Sequence, residues 1–385
     1  MAFVTSKRSS KENEVNISML ERRLRKNLDW PLLLFTLLLT IVGLVVLYSV
    51  THADPNPAYK KQILWMVLGY GGLIAATWID YHIYRRTARH FYVVNLLLLT
   101  LVLIFAHKTN GAARWIRIAG FEFQPSETAK LFIILTLGTY LARHQETIGS
   151  WRTLFMSLGH ILVPTLLIFK QPDFGTSLVL VAIWAGMVFM AGADLRKIGA
   201  LALAGIALFA VVWHSNKIIR PYQKERLTVF LDPEADPSGS GYHVVQARIA
   251  IGSGRIWGKG LLHSTQVKGG FIPEKQTDFI FTDIGEELGL VGGILVILIY
   301  AGLLWRGYHI IAEVDEDIYG KLVATGVVTM IAFHVVVNIG MNVGIVPVAG
   351  VPLPLISAGG SNVLVTLFSI GLLESVSVHR HQLLF

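Results

Sequence analysis

Asp278 is a lone carboxylate between Thr277 and Phe279, inside a polar stretch (residues 261–289) that runs straight back into apolar sequence. A single acid at such a border suits general-base chemistry at a membrane surface, because an apolar setting raises a carboxylate towards the working range of a base. Phe279, Ile280 and Phe281 are expected to dip into the bilayer edge and supply that setting. The acids that follow, Asp283, Glu286 and Glu287, need no such role: at the start of a helix they complement its dipole.

Other polar groups sit at the ends of apolar segments, where ionisable side chains are costly and so mark candidate sites. One group is GAARW (111–115) with QPSETAK (124–130). Pro125 suits a first helical position, Ser126 a cap, and Glu127 and Lys130 share a helical face. That pair reads either as a structural ion pair or as part of a site, as does Arg114 before it. In QPDFGTS (171–177), Asp173 is placed to cap the next helix. PLPLISAGGSN (352–362) is broken by Pro and Gly, and irregular backbone at membrane depth survives only against protein or a wet cavity. It reads as a cavity wall presenting Ser361 and Asn362, or as a tight re-entrant turn. Arg220, Lys224, Arg226, Arg248, Arg255, Lys259, Lys268 and Lys275 add cations beside apolar residues, which suits a phosphate or pyrophosphate lipid head group or simply an anionic membrane surface. GSGRIWGKG (252–260) lacks the spacing and the Ser or Thr of a nucleotide-binding P-loop.

The elements that must position these residues are membrane helices. Hydrophobic residues make up 53% of 385, and apolar runs long enough to cross roughly 30 Å of hydrocarbon recur throughout. Spans are expected near 30–50, 62–79, 90–106, 125–142, 154–169, 177–193, 198–216, 284–304, 322–339 and 361–378: an all-α polytopic membrane protein of about ten helices, with a large outer loop at 217–281. The net charge of +8 follows from the positive-inside rule and calls for no nucleic acid, since the segments assigned to the cytoplasm hold 17 of the 33 Lys and Arg. Both termini are thereby expected in the cytoplasm, and every candidate group above on the outer face. Residues 1–28 read as a basic leader, either merely solvated or lying on the membrane as an interfacial helix, with no cleavable signal peptide. Residues 29–385 form a single domain. Cysteine is absent, which rules out disulfides and thiol chemistry. Glycines within the spans, among them Gly69, Gly71, Gly72, Gly186 and Gly192, are expected to allow close helix packing.

GAARW, QPSETAK, QPDFGTS, the TQ…FIPEKQTDFIF…GEELG block and PLPLISAGGSN, in this order, resemble the SEDS family (shape, elongation, division and sporulation) of polytopic peptidoglycan glycosyltransferases. The resemblance runs from about residue 30 to the end. LLHSTQ (261–266) and VSVHRH (376–381) are more like its rod-elongation branch than its division branch, and Ala358 departs from the Tyr that many members carry. The resemblance implies a ten-helix domain with an essential aspartate at Asp278 and substrate-cavity residues at Arg114, Glu127, Lys130, Asp173, Gln266 and Ser361. It also implies lipid II as substrate and a class B penicillin-binding protein, the transpeptidase, as partner. A magnesium or manganese ion on the pyrophosphate is compatible with such chemistry, although no cluster of His and carboxylates demands one. A transporter that flips the same lipid-linked precursor is the rival reading. It would call for polar sites at the midplane and for inverted repeats.

Overall fold

The computed structural model describes residues 27–52, 54–105, 114–118, 121–213, 224, 228–232, 240–266, 269–272, 274–314 and 316–380. The basic leader before residue 27, and with it any interfacial helix, lies outside the described residues, as do Arg220, Arg226 and Lys268. The chain is helical almost throughout: α1 (Trp30–Thr51), α2 (Ala58–Trp78), α3 (His82–Phe105), α4 (Pro125–Arg143), α5 (Trp151–Lys170), α6 (Phe174–Met190), α7 (Leu195–Trp213), α8 (Ser240–Gly254), α9 (Ile280–Glu287), α10 (Gly289–Glu313), α11 (Ile318–Val343) and α12 (Gly360–His379). Nine of the ten expected spans each overlap a single one of these helices, and the one at 284–304 overlaps two. Six of them, α1, α3, α5, α10, α11 and α12, are long and apolar enough to cross a membrane. This is a multi-pass membrane protein.

Helix α1 shows why such a segment is stable in lipid. Asp29 caps it by accepting from the Leu32 amide, and Thr36, Thr40 and Thr51 return their hydroxyls to backbone carbonyls within the helix, so these side chains need no partner from water. Leu34, Leu37, Ile41 and Val45 form an exposed apolar stripe, while Leu32, Leu39, Val46 and Leu47 turn inward. A helix apolar on every side needs lipid on one face and protein on the other. Helices α11 and α12 hold the centre of the bundle. The first packs on α4 and α6, and the second runs along α2.

Polar ties close the bundle at the end away from Asp278. The Arg306 guanidinium reaches Asp29 at 2.5 Å, and Glu374 accepts from the Asp29 amide at 3.0 Å. Tyr81 donates to Asp317, the cap of α11, at 2.5 Å. Burial pushes Asp317 up, but the bonds from His82, Tyr81 and the Gly320 amide outweigh it and hold the carboxyl below its ordinary range.

Several expectations need correction. Most helices begin before the apolar run does, by eight residues in α3, because polar first turns such as His82 to His90 are invisible to a hydropathy reading. The expected span at 284–304 is two helices, α9 and α10, hinged at Gly289 with φ +67°. A small antiparallel hairpin, β1 (Ile116–Ile118) with β2 (Phe121–Phe123), interrupts the all-α pattern before α4, with Ile116 opposite Phe123. Gly69 and Gly186 do permit close packing, on Leu367 and Thr329, whereas Gly71 meets nothing and Gly192 ends α6 in a left-handed turn.

Candidate active site

Residues 345–359, between α11 and α12, are irregular, and most of them from Ala349 to Ser357 are buried, so their backbone groups must be satisfied by protein. Asn338 Nδ2 donates to the Val351 carbonyl at 2.8 Å, Tyr300 to that of Pro354, and Gln62 Nε2 to that of Ser357 at 3.1 Å. The segment lies so close to Gly43 of α1 and Gly175 of α6 that a Cβ at either glycine would fall within 2.6 Å of the Leu355 or Ala349 carbonyl oxygen. The fold therefore seats a re-entrant strap among α1, α2, α6, α10 and α11.

The strap and α11 together fix the Asp278 loop. Three successive carbonyls of that loop each receive a donor: Gln276 from the Ala358 amide at 2.8 Å, Thr277 from Ser357 Oγ at 2.6 Å, and Asp278 from both Asn338 Nδ2 and Asn342 Nδ2 at 3.0 Å. Asn342 also accepts from the Thr282 amide and hydroxyl, tying the loop to α9. The Asp278 side chain is half-buried. Phe279, Ile280 and Phe281 are buried in protein and not at the bilayer edge, because α9 packs its apolar side on α8, α10 and α11.

The second group of candidates converges at the start of α4. Pro125 takes the first helical position as expected, but Ser126 is no cap: it lies inside the helix and donates to Asp173 Oδ2 at 3.0 Å. Asp173 caps α6 through the Thr176 amide and also accepts from Gln124 and the Thr176 hydroxyl, so four donors fill it. Arg114 does not meet that carboxylate. Its guanidinium binds the carbonyls of Gln171 and Pro172 just before it. Ser361 Oγ accepts from the Gln124 amide at 3.0 Å.

Glu127 and Lys130 form a buried pair at 2.8 Å. Glu127 also accepts from Asn362 at 2.9 Å, and the Lys130 ammonium lies 3.0 Å from His334 Nε2. An ammonium can only donate, so that imidazole nitrogen accepts and the proton sits on Nδ1, which donates to the Met330 carbonyl at 2.7 Å. His334, Asn338 and Asn342 are four residues apart on one face of α11. They link the Glu127–Lys130 pair to the Asp278 loop. None of the three was singled out in the sequence, although polar residues repeating at i, i+4 and i+8 in an apolar span were the available signal.

Gln266 belongs to a third group. Its amide donates to Glu286 Oε1 at 3.0 Å, an oxygen that also receives Lys259 at 2.6 Å and the Thr265 amide and hydroxyl. Glu287 takes Ser49 at 2.7 Å. These two acids are thus buried anchors for residues 259–266, which corrects their reading as simple complements to a helix dipole. Lys259 is engaged there, and Arg248 donates to the Gly344 carbonyl. Among the described residues, no three His, Asp or Glu side chains stand close enough to hold a metal.

Residues 29–382 match the family model of FtsW, RodA and SpoVE, described as cell cycle proteins. The chain belongs to this family. It is similar to the peptidoglycan glycosyltransferase MrdB of Escherichia coli K12, with 36% identity over 93% of this chain and 95% of that one. It is also similar to the stage V sporulation protein E of Bacillus subtilis, with 38% identity over 91% and 96%. A solved structure from a peptidoglycan synthase complex that coordinates polymerization and crosslinking superimposes with TM-score 0.78 at 32% identity, covering 92% of this chain and 99% of that one. The Asp278 loop, the strap and the Glu127–Lys130 pair all lie within the matched region of this family member.

Proposed function

We propose that this peptidoglycan glycosyltransferase polymerises lipid II during cell elongation, with Asp278 as the general base. The observation that carries the assignment of Asp278 is the clamp on its loop: three consecutive carbonyls are held by α11 and the strap, which fixes the backbone that presents this half-buried carboxylate. Such a base takes the proton from an acceptor sugar hydroxyl as that oxygen attacks the anomeric carbon of the donor. Undecaprenyl pyrophosphate leaves, and inversion converts an α-linked donor into a β-1,4 link. Pyrophosphate is already a good leaving group, so no second carboxylate acid is required.

Arg114 and Gln266 are half-buried, and in this reading they contact the bound lipid. Glu127, Lys130, Asp173 and Ser361 are nearly or fully buried, and they bind substrate by shaping the wall behind it. A magnesium or manganese ion would be held chiefly by the pyrophosphate oxygens. The active centre lies on the outer membrane face, both termini lie in the cytoplasm, and residues 217–281 form the outer loop. A class B penicillin-binding protein cross-links the product. The synthase complex that this chain resembles supports that pairing.

The test is lipid II polymerisation by purified protein with its partner. Asp278→Asn is nearly isosteric and should lower turnover by about 10²–10⁴ with melting temperature unchanged. Near-normal turnover by the folded variant would refute the role of Asp278.

A further inference from the structure

At the far end of α4 from Glu127 lies a cavity of about 450 Å³ between α3, α4 and α5. Glu127 to Arg143 is sixteen residues of helix, or about 24 Å along the axis, so the two features sit at opposite faces of the bundle. Among the described residues, its lining holds Arg85, Arg86, Arg89 and Arg143, with three histidines and no Asp or Glu. A second hollow shares Arg85, Arg86 and Arg143 and adds His82. No carboxylate among the described residues pairs with any of these four arginines. Four like charges around one hollow repel one another unless an anion enters.

The cavity has further features that define its ligand. Its floor is polar and ordered: Thr136 bonds His160 Nε2 at 2.9 Å, and Tyr92 stacks on the His160 ring at 4.2 Å. Guanidinium forks match the oxygens of a phosphate better than any other common anion except a carboxylate. The third feature separates a lipid from a soluble phosphate. Arg86 and Arg89 are exposed at the head of a stripe on α3 that continues through Val93, Leu97 and Leu101, all exposed and apolar. The spacing of three or four residues puts them on one helical face. A ligand with a phosphate at the arginines and acyl chains along the stripe fits both parts.

We propose that this cavity is a binding site for the phosphate head group of an anionic phospholipid, on the membrane face opposite Asp278. In the topology given above that is the inner leaflet. The site's existence does not depend on that topology, because binding reads the pocket and cysteine labelling reads the side, so the two can fail separately.

The experiment is native mass spectrometry of the full-length protein in detergent, titrated with phosphatidylglycerol or phosphatidylcholine. Phosphatidylglycerol should be retained in preference. Each arginine near an anionic head group contributes about fivefold, so Arg86→Gln, Arg89→Gln and Arg143→Gln together should weaken retention about 100-fold. The control variant Arg152→Gln, Arg196→Gln, Lys197→Gln removes as much charge from the same face outside the cavity and should retain the lipid. Equal loss in both variants would reduce the effect to surface attraction and overturn the site. Displacement of the lipid by millimolar inorganic phosphate would overturn the lipid as ligand. Should the triple glutamine variant fail to fold, Thr136→Trp fills the cavity floor, and undiminished retention by that protein would refute the proposal.

Discussion

The clamp on Asp278 gives a sharp prediction through residues that touch no reacting atom. Asn338→Ala removes one of two donors to the Asp278 carbonyl and also frees the Val351 carbonyl, while Asn342 still holds the loop. Each lost bond to a buried carbonyl costs about 1 kcal/mol net, and more where the group is left without any partner. The folded state should therefore survive each single change. Activity is more sensitive, since a shift of about 1 Å in a reacting group can cost 10²-fold. We expect Asn338→Ala to lower kcat about tenfold and the Asn338→Ala, Asn342→Ala pair about 100-fold, with KM for lipid II little changed. The assay is initial-rate polymerisation of labelled lipid II by the complex with its transpeptidase partner. The decisive arm repeats both changes in an Asp278→Asn background. If the asparagines act only by placing that carboxylate, they should cost almost nothing further there. Full additivity of the losses would show that Asn338 and Asn342 serve catalysis, or the fold, by some other route.

Lys130→Met leaves Glu127 buried with Asn362 as its remaining donor, which should cost about 3–5 kcal/mol. Adding Glu127→Gln should recover most of that in a melting experiment, whereas failure to recover would return Lys130 to a direct role with the pyrophosphate. Cysteine at the exposed His263 should react with an impermeant thiol reagent in intact spheroplasts, and cysteine at the exposed Glu146 only after permeabilisation; the reverse pattern would invert the topology. His263 serves better than Ser264, which is buried. The depressed carboxyl of Asp317 stabilises the fold above the unfolded value near pH 4, and that stability is lost as pH falls further. Asp317→Asn should flatten the acid side of the melting profile, and an unchanged profile would exclude Asp317 as its source.

The helical, multi-pass character and the order of the spans were legible because apolar runs at bilayer length are the strongest signal a chain carries, and the motifs Gln124–Lys130, Asp173 and Ser357–Asn362 are brought together. What the sequence hid was partnership. Glu286 and Asp173 look like helix-start acids in one dimension, and only the fold reveals that each also gathers donors distant in sequence, Lys259, Thr265 and Gln266 for the first and Gln124 and Ser126 for the second. Asn338 and Asn342 escaped notice because each alone resembles an ordinary polar residue in a span. Their meaning lies in contacts 60 or more residues away. The hinge at Gly289 was equally silent, since a glycine at a helix start does not by itself reveal a left-handed φ.

The stripe on α11 also acts as a ruler. His334, Asn338 and Asn342 rise about 6 Å per step along the axis, so the interval between the buried ion pair and the Asp278 loop is set by helical pitch and by no flexible linker. Side chains can be exchanged along such a ruler with graded effects, but its length cannot be altered by one residue. A single insertion between His334 and Asn338 would rotate everything beyond it by about 100° and point both asparagines away from the loop they hold.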